Sequence, residues 1–446
     1  MTTHRPRSRG AVLRFSVIAL LAATALIAGC TSGDQSSSDD TTATTAVGDS
    51  STDATFASGP APGVTADSIK VGVVYVDLDT LREAGVVDIN HGDYTAAYTA
   101  LFDAINADGG INGRTIDYTI VPVAPTGTEP ADAACTQLTE DEESFLIMGF
   151  FLGDTVLCPL ETHSTAVIGG VITAERLARA DAPWFSNEGS EDLQAEAVRA
   201  MAEAGDLDGT VGVFGGPEEQ VLMDDVMLPL LDELGVDVAE SAIVDQNAED
   251  IAATDNSTEV IAQRFETAGV DQVLALGTSS LAFVQGIAPT DYRPEIRFTE
   301  AGAINTYAQG EGRDLTLLEG SIVGALYGGD ANIYELPGMQ ECIGVLEDAG
   351  IEVPNPADAA ADDPLLWTSA FTSCQQVDLF KALVEAAGED LNYGSLEGAS
   401  DGLVVDMPAQ PEPLTFGPGE HGDGDPQAYL FDFDADSGSF VLQDGQ

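Results

Sequence analysis

The chain has 446 residues, room for two or three domains, and 44% of them are hydrophobic, so it is not disordered overall. Fifteen basic residues stand against 76 acidic ones, for a formal charge of −61, and Lys70 and Lys381 are the only lysines. Such a surface repels nucleic acid and anionic lipid, which excludes nucleic acid as a partner; it fits salty surroundings, where counter-ions screen self-repulsion over roughly 10 Å or less, and equally a lineage-wide acidic bias without a role.

Residues 1–30 combine an arginine-bearing start, an apolar run from Phe15 to Ala28, and Ile27-Ala28-Gly29-Cys30. The run is about 14 residues, short of the roughly 20 that span a bilayer as a helix, and suits an export signal. Its end resembles a bacterial lipobox, in which the cysteine thiol is acylated and becomes the new N-terminus. That implies a lipoprotein signal peptide over 1–29 and lipidation at Cys30, hence an extracytoplasmic protein anchored to the outer face of the cell membrane. An ordinary signal cut after Ala25 is the alternative. Loss of the four arginines in this segment deepens the charge to −65.

From Thr31 to about Ala66 the residues are mostly Ser, Thr, Asp, Gly and Ala, which cannot bury enough surface to fold. The expectation is a disordered tether over 30–66 with an r.m.s. span of about 30–36 Å.

Ile69 to Val76 is a nearly continuous apolar run, as in a parallel strand covered on both faces. Tyr94, Ala97, Tyr98, Leu101, Phe102 and Ile105 then recur at helical spacing. Asn106, Asp108, Gly109 and Gly110 end that helix, Asn112-Gly113 turns the chain, and Ile116 to Val123 leaves as a strand. This βαβ unit, with the stretch Ile105-Asn106-Ala107-Asp108-Gly109-Gly110-Ile111-Asn112-Gly113-Arg114, resembles the opening of the branched-chain amino-acid-binding type of periplasmic binding protein, the ligand-capturing subunits of ABC importers.

Further on, strand-like runs (145–151, 165–169, 211–215, 236–244, 273–277, 322–326) alternate with helical patterns (131–139, 191–204, 218–234, 259–268, 279–287). Strict alternation argues an α/β protein with parallel sheets, and two sheets rather than one of so many strands. Helical patterns at 338–349 and 369–387 follow, then a strand, turn and strand from Tyr429 to Leu442. The resemblance spans about Asp67 to Leu442. It implies two doubly wound, Rossmann-like lobes joined by a hinge that the chain crosses about three times. The expected division is 67–207 with 327–402 for lobe 1, and 208–326 with 403–446 for lobe 2.

Cys135, Cys158, Cys342 and Cys374 remain after Cys30, an even number in an exported chain that suggests disulfides. Four cysteines allow three pairings; neighbours pairing, Cys135 with Cys158 and Cys342 with Cys374, is simplest. No close CxxC pair points to zinc. Only four histidines occur, with no GxSxG elbow, HExxH or phosphate loop, so neither an enzyme nor a cofactor is expected. The stretch 419–425 around His421 could hold a cation but suits a solvated loop. Asp432 to Ser437 superficially resembles a calcium loop, yet has Ser437 and Gln443 where a glycine and a bidentate glutamate are needed.

The resemblance implies a monomer that closes two lobes over a small polar solute, an amino acid or amide-like compound, and delivers it to permease and ATPase subunits. A sensor of similar build, signalling to a partner, is the alternative. In amino-acid-binding members a Thr shortly before a Leu holds the ligand's α-carboxylate or amino group, and Thr173, four residues before Leu177, matches it. A second-lobe acid pairs with the ammonium, and Glu300 matches that. Where serines usually follow Gly149, this chain has Phe150-Phe151-Leu152-Gly153-Asp154, and Gln220 stands at the usual tyrosine position. Phe151, Asp154 and Gln220 complete the expected ligand-binding set, and the phenylalanines suggest a larger or less polar ligand than a simple aliphatic amino acid.

Overall fold

The computed structural model describes residues 56, 59–83, 89–187, 191–245, 251–308, 313–326, 329–359, 363–417, 421–422, 427–435 and 437–443. Cys30 and most of the expected tether lie outside these residues.

Five parallel strands form the first sheet: β1 (Ser68–Val76), β2 (Thr115–Val123), β3 (Leu146–Gly149), β4 (Ala166–Ile168) and β5 (Trp184–Phe185), in the order β2-β1-β3-β4-β5. The helix Tyr94–Ala107 starts where the Asp93 carboxylate accepts the Ala96 amide at 2.9 Å. It buries Tyr98, Leu101 and Phe102 against this sheet's core, each worth about 1.5–3 kcal/mol in transfer terms. It ends as expected. Gly110 has φ +75°, and a Cβ there would strike the Arg114 carbonyl.

The second sheet has seven strands in the order β14-β13-β10-β9-β8-β6-β7. Five are parallel: β6 (Val211–Gly215), β7 (Val238–Ile243), β8 (Gln272–Ala275), β9 (Glu295–Phe298) and β10 (Ile322–Ala325). A third, two-stranded sheet pairs β11 (Val404–Val405) with β12 (Leu414–Thr415). The hairpin of β13 (Tyr429–Asp434) and β14 (Ser439–Leu442) adds antiparallel to the edge at β10. Its turn holds Ser437, whose hydroxyl donates to the Asp434 carboxylate at 2.8 Å; Asp436 lies outside the described residues.

The chain passes from one large sheet to the other three times: between β5 and β6, after β10, and between β12 and β13. The return after β10 precedes the helix Asp330–Tyr334, whose Ile333 lies in the first core. Two boundaries differ from expectation. Ala195, Val198 and Met201 of the helix Glu191–Ala204 pack with Leu274, Ile322 and Leu430, so this helix belongs with the second sheet and the first passage precedes it. Val405, Met407, Leu414 and Phe416 lie in the first core, with the Phe416 ring 5.9 Å from and edge-on to Phe185, so 403–416 belongs with the first sheet. In both places apolar side chains fill space between sheet and helices, which outranks sequence adjacency.

The tether is also shorter than expected. Phe56, Ala61 and Val64 pack on the first core, Val64 bridges Ile69, and Arg114 donates to the Thr65 carbonyl at 2.8 Å.

Cys135 bonds Cys158 and Cys342 bonds Cys374. The first ties the helix Glu129–Thr136 to the segment after β3. The second ties the helix Pro337–Asp348 to the helix Thr368–Ala387. The sulfurs of Cys135 and Cys158 lie within 4.8 Å of a His163 ring nitrogen, but each is already bonded to the other, so the cluster offers no metal thiolates. Among the described residues no helix is long and apolar enough to cross a membrane.

Candidate functional site

The carboxyl ends of parallel strands are where open α/β sheets leave amide groups free for a ligand. On the first sheet two such ends are shaped by glycine. Gly149 closes β3 with φ +141°, where a Cβ would strike the Val74 carbonyl. Gly169 and Gly170 follow β4, and the Trp184 indole donates to the Gly169 carbonyl at 2.8 Å.

Beyond β4, Thr173 has extended backbone and caps the helix Ala174–Leu177, its hydroxyl accepting the Arg176 amide at 3.3 Å. The Arg176 side chain turns to Asp154 in the loop after β3, Nε to Oδ1 at 2.9 Å. Arg179 approaches the same carboxylate at 4.0 Å and pairs with Glu161 at 2.6 Å. Thr173 and Asp154, separate expectations, are thus joined through Arg176. Phe151 is half-buried between two apolar clusters of the first lobe.

The second sheet brings a polar group to its own carboxyl edge. Glu219, buried in the turn after β6, accepts the Gly216 amide at 2.9 Å and the Ser279 hydroxyl at 2.6 Å through one oxygen, Oε2. After β9, Thr299 accepts the Gly277 amide at 3.1 Å and donates to Gln194 at 2.6 Å. Glu300, next in line, accepts the amides of Gly302 and Ala303. Burial pushes its carboxyl up, the two amides hold it down in part, and the charge of nearby Glu219 pushes it up further. Two carboxylates therefore feel each other in a half-dry wall.

The walls approach at Gly153, where a Cβ would sit 3.1 Å from Glu218 Oε1 and 3.6 Å from Arg176 Nη2. Glu191 registers both sides. Its carboxyl is pushed up by burial foremost, then by Asp192; Arg176 of the first wall lowers it and Asp225 of the second raises it.

Gln220 is exposed and donates to Asp224 at 2.6 Å, within its own helical segment. Sequence reasoning passed over Arg176, Gln194, Glu219, Ser279 and Thr299. A signal existed for two: Gly215-Gly216-Pro217 before Glu219, and Gly277 before Ser279, each directly after an apolar strand.

No protein-family profile and no curated protein matches the chain. Solved structures do match. A type 1 periplasmic binding protein from Bordetella pertussis Tohama I is 15% identical with a TM-score of 0.61, covering 84% of this chain and 100% of that one. A solute-binding protein of an ABC transporter from R. palustris, in complex with 4-hydroxybenzoate, is 14% identical at TM-score 0.57, covering 84% and 96%. An ABC transporter substrate-binding protein from Desulfitobacterium hafniense, in complex with Leu, is 12% identical at TM-score 0.56, covering 84% and 100%. The chain has the type 1 periplasmic-binding-protein fold. It resembles the solute-binding proteins of ABC transporters in build.

Proposed function

We propose that the chain is the extracytoplasmic solute-binding subunit of an ABC importer, held at the membrane by a lipid on Cys30, monomeric, and delivering its ligand to permease and ATPase subunits. In this reading the first sheet with 329–416 and the second sheet with its helices are two lobes that close over the ligand. No reaction is needed; closure follows from contacts made to both lobes only in the shut state.

The observation that carries the ligand class is Glu300 beside Glu219. A half-dry wall with two carboxylates favours a ligand bearing an ammonium, because a desolvated charge is stable only beside its opposite. A 4-hydroxybenzoate-like anion would meet repulsion there, whereas a Leu-like ligand brings the ammonium. Thr173 and Arg176 on the first wall supply a hydroxyl and a cation suited to a carboxylate. An amino acid or amino-acid-like compound is therefore our reading.

The test is a thermal-shift screen of amino acids, amides, urea and small carboxylates. A true ligand at 100 times its Kd adds about 2.7 kcal/mol of stability. Shifts from simple carboxylates and none from ammonium-bearing compounds would overturn the ligand class. A sensor would pass the same screen, and is told apart by failure to stimulate an ATPase in reconstituted permease vesicles.

A further inference from the structure

The bridge between Cys135 and Cys158 has a third donor beside it. Both sulfurs and a ring nitrogen of His163 lie within 4.8 Å of one another, whereas among the described residues no such donor is grouped with the bridge between Cys342 and Cys374. The backbone puts two of the three together. Cys158–Thr162 is a wide helical turn, closed by the His163 amide donating to the Cys158 carbonyl at 3.2 Å. Hydrogen bonds spanning five residues set Cys158 and His163 one above the other, where an ordinary α-helical turn would put residues five apart on different faces. Cys135 comes from the helix Glu129–Thr136, its Cα 6.3 Å from that of Cys158.

In the oxidised protein the two sulfurs are bonded to each other. Once reduced, the same side chains are two thiols and an imidazole, the donor chemistry of zinc, which takes thiolates at about 2.3 Å and imidazole nitrogen at about 2.0 Å in a tetrahedron. Ligands on such a tetrahedron stand roughly 3.5–3.8 Å apart, so donors already within 4.8 Å need only side-chain rotation to reach it. Two thiolates and a neutral imidazole cancel the charge of the ion, which suits a place where Cys135 is buried and Cys158 and His163 are half-buried. The His163 side chain keeps 18% of its surface exposed, which leaves an entry path, and the mostly exposed Glu140 carboxylate lies 3.8 Å from its Nδ1.

We propose that the dithiol form of this chain binds one zinc ion through Cys135, Cys158 and His163. A chain made in a reducing compartment reaches an oxidising one with its cysteines still thiols, so the dithiol form precedes the disulfide in an exported copy. Zinc enters by displacing both thiol protons, which pass to solvent as the two Zn–S bonds form. A small-molecule disulfide reverses this: it takes two electrons from the thiolates and leaves as two thiolates of its own, the protein's S–S bond forms, and zinc is released. Either link ties the helix Glu129–Thr136 to the turn following the loop that carries Asp154, the partner of Arg176. The zinc site goes beyond the solute-binding reading and does not depend on it.

The test uses the full-length protein, reduced anaerobically with a phosphine, which leaves as its oxide and carries no thiol to compete for metal. With the reductant removed, zinc is titrated against a chromogenic chelator, and cobalt(II) serves as a spectroscopic probe. Reduced wild type should retain one zinc per chain and show thiolate-to-cobalt charge transfer with the visible bands of a tetrahedral ion. His163→Ala should weaken zinc at least about tenfold. Cys342→Ala/Cys374→Ala keeps the three donors and should bind as the wild type does. Oxidised protein should retain none against the chelator. Zinc held equally by oxidised and reduced protein marks adsorption on the acidic surface and overturns the site. So does a reduced chain without the charge-transfer band, or a His163→Ala chain that binds as tightly as wild type. Circular dichroism on Cys342→Ala/Cys374→Ala covers a reduced chain that unfolds without metal: zinc must restore the spectrum of that variant's own oxidised form, and a chain that stays unfolded with zinc overturns the proposal.

Discussion

Ser279 donates its hydroxyl to Glu219 at 2.6 Å across 60 residues of sequence, tying the turn after β6 to the turn after β8. Glu219 is held by that hydroxyl and the Gly216 amide, so its charge is fixed beside Glu300. Glu300→Gln should weaken an ammonium ligand by about 2–5 kcal/mol, the cost of removing one partner of a buried charge. Because burial raises the Glu300 carboxyl, affinity should fall as pH drops through a range where an ordinary glutamate stays ionised. Calorimetry between pH 4 and 8 reads this, and a flat profile counts against Glu300 as the ammonium's partner.

Thr173→Ala separates two roles. As a helix cap it should cost about 1 kcal/mol of stability. If Thr173 also meets the ligand, affinity should fall by about 2–5 kcal/mol. A lowered melting temperature with unchanged affinity leaves Thr173 a cap only.

Glu397 and His421 approach at 3.7 Å, and among the described residues the buried Glu397 Oε2 has no hydrogen-bond partner. Burial, then the charge of Asp401, raises the Glu397 carboxyl to about 7, while burial lowers the His421 imidazole. At a pH below about 7 that still exceeds the lowered range of the imidazole, the contact joins a protonated acid to a neutral ring and is not an ion pair. The sign follows. A carboxyl raised from 4.5 to about 7 lets the folded state hold a proton that the unfolded chain has lost, so stability declines as pH rises across that window. Glu397→Gln removes the penalty and should gain about 2–3 kcal/mol at pH 8 relative to its effect at pH 4. His421 acts oppositely, losing stability below pH 6.5, and is common to both proteins. Equal melting-temperature differences at the two pH values would contradict the raised carboxyl.

Each disulfide closes a short loop, with sequence separations of 23 and 32, worth roughly 3–4 kcal/mol at most by chain entropy. Cys342→Ala/Cys374→Ala should lower the denaturation midpoint by a corresponding amount without changing the slope.

With 76 acidic residues against 15 basic, self-repulsion should be relieved by added salt. The melting temperature should climb more steeply between about 0.1 and 1 M than for a protein of balanced charge. A flat response would leave the acidity a compositional bias.

Cys30 is tested in cells. Radiolabelled fatty acid should enter the wild type and be absent from Cys30→Ala; equal labelling would remove the anchor.

Much of the fold was legible because its signals are local. The apolar run at Ile69–Val76 became β1 at Ser68–Val76, and the stripe from Tyr94 became a helix to Ala107. What was missed is held at long range. β5, β11 and β12 have two residues each, too few to show a period. β9 reads Glu-Ile-Arg-Phe, yet its Arg297 is buried, donating to the Asp206 and Gly320 carbonyls at 2.8 and 2.9 Å. The site divides the same way. Glu300 is a candidate through resemblance alone, whereas Glu219 acquires its setting only when Ser279 is folded against it.

The three passages between the sheets bear on how the molecule would fail under a protease. A single cut in any one passage leaves two intact strands of chain still spanning the walls, and neither disulfide crosses between them. A nicked molecule should therefore migrate as one particle under native conditions and separate into two fragments only in denaturant, retaining its ligand until then.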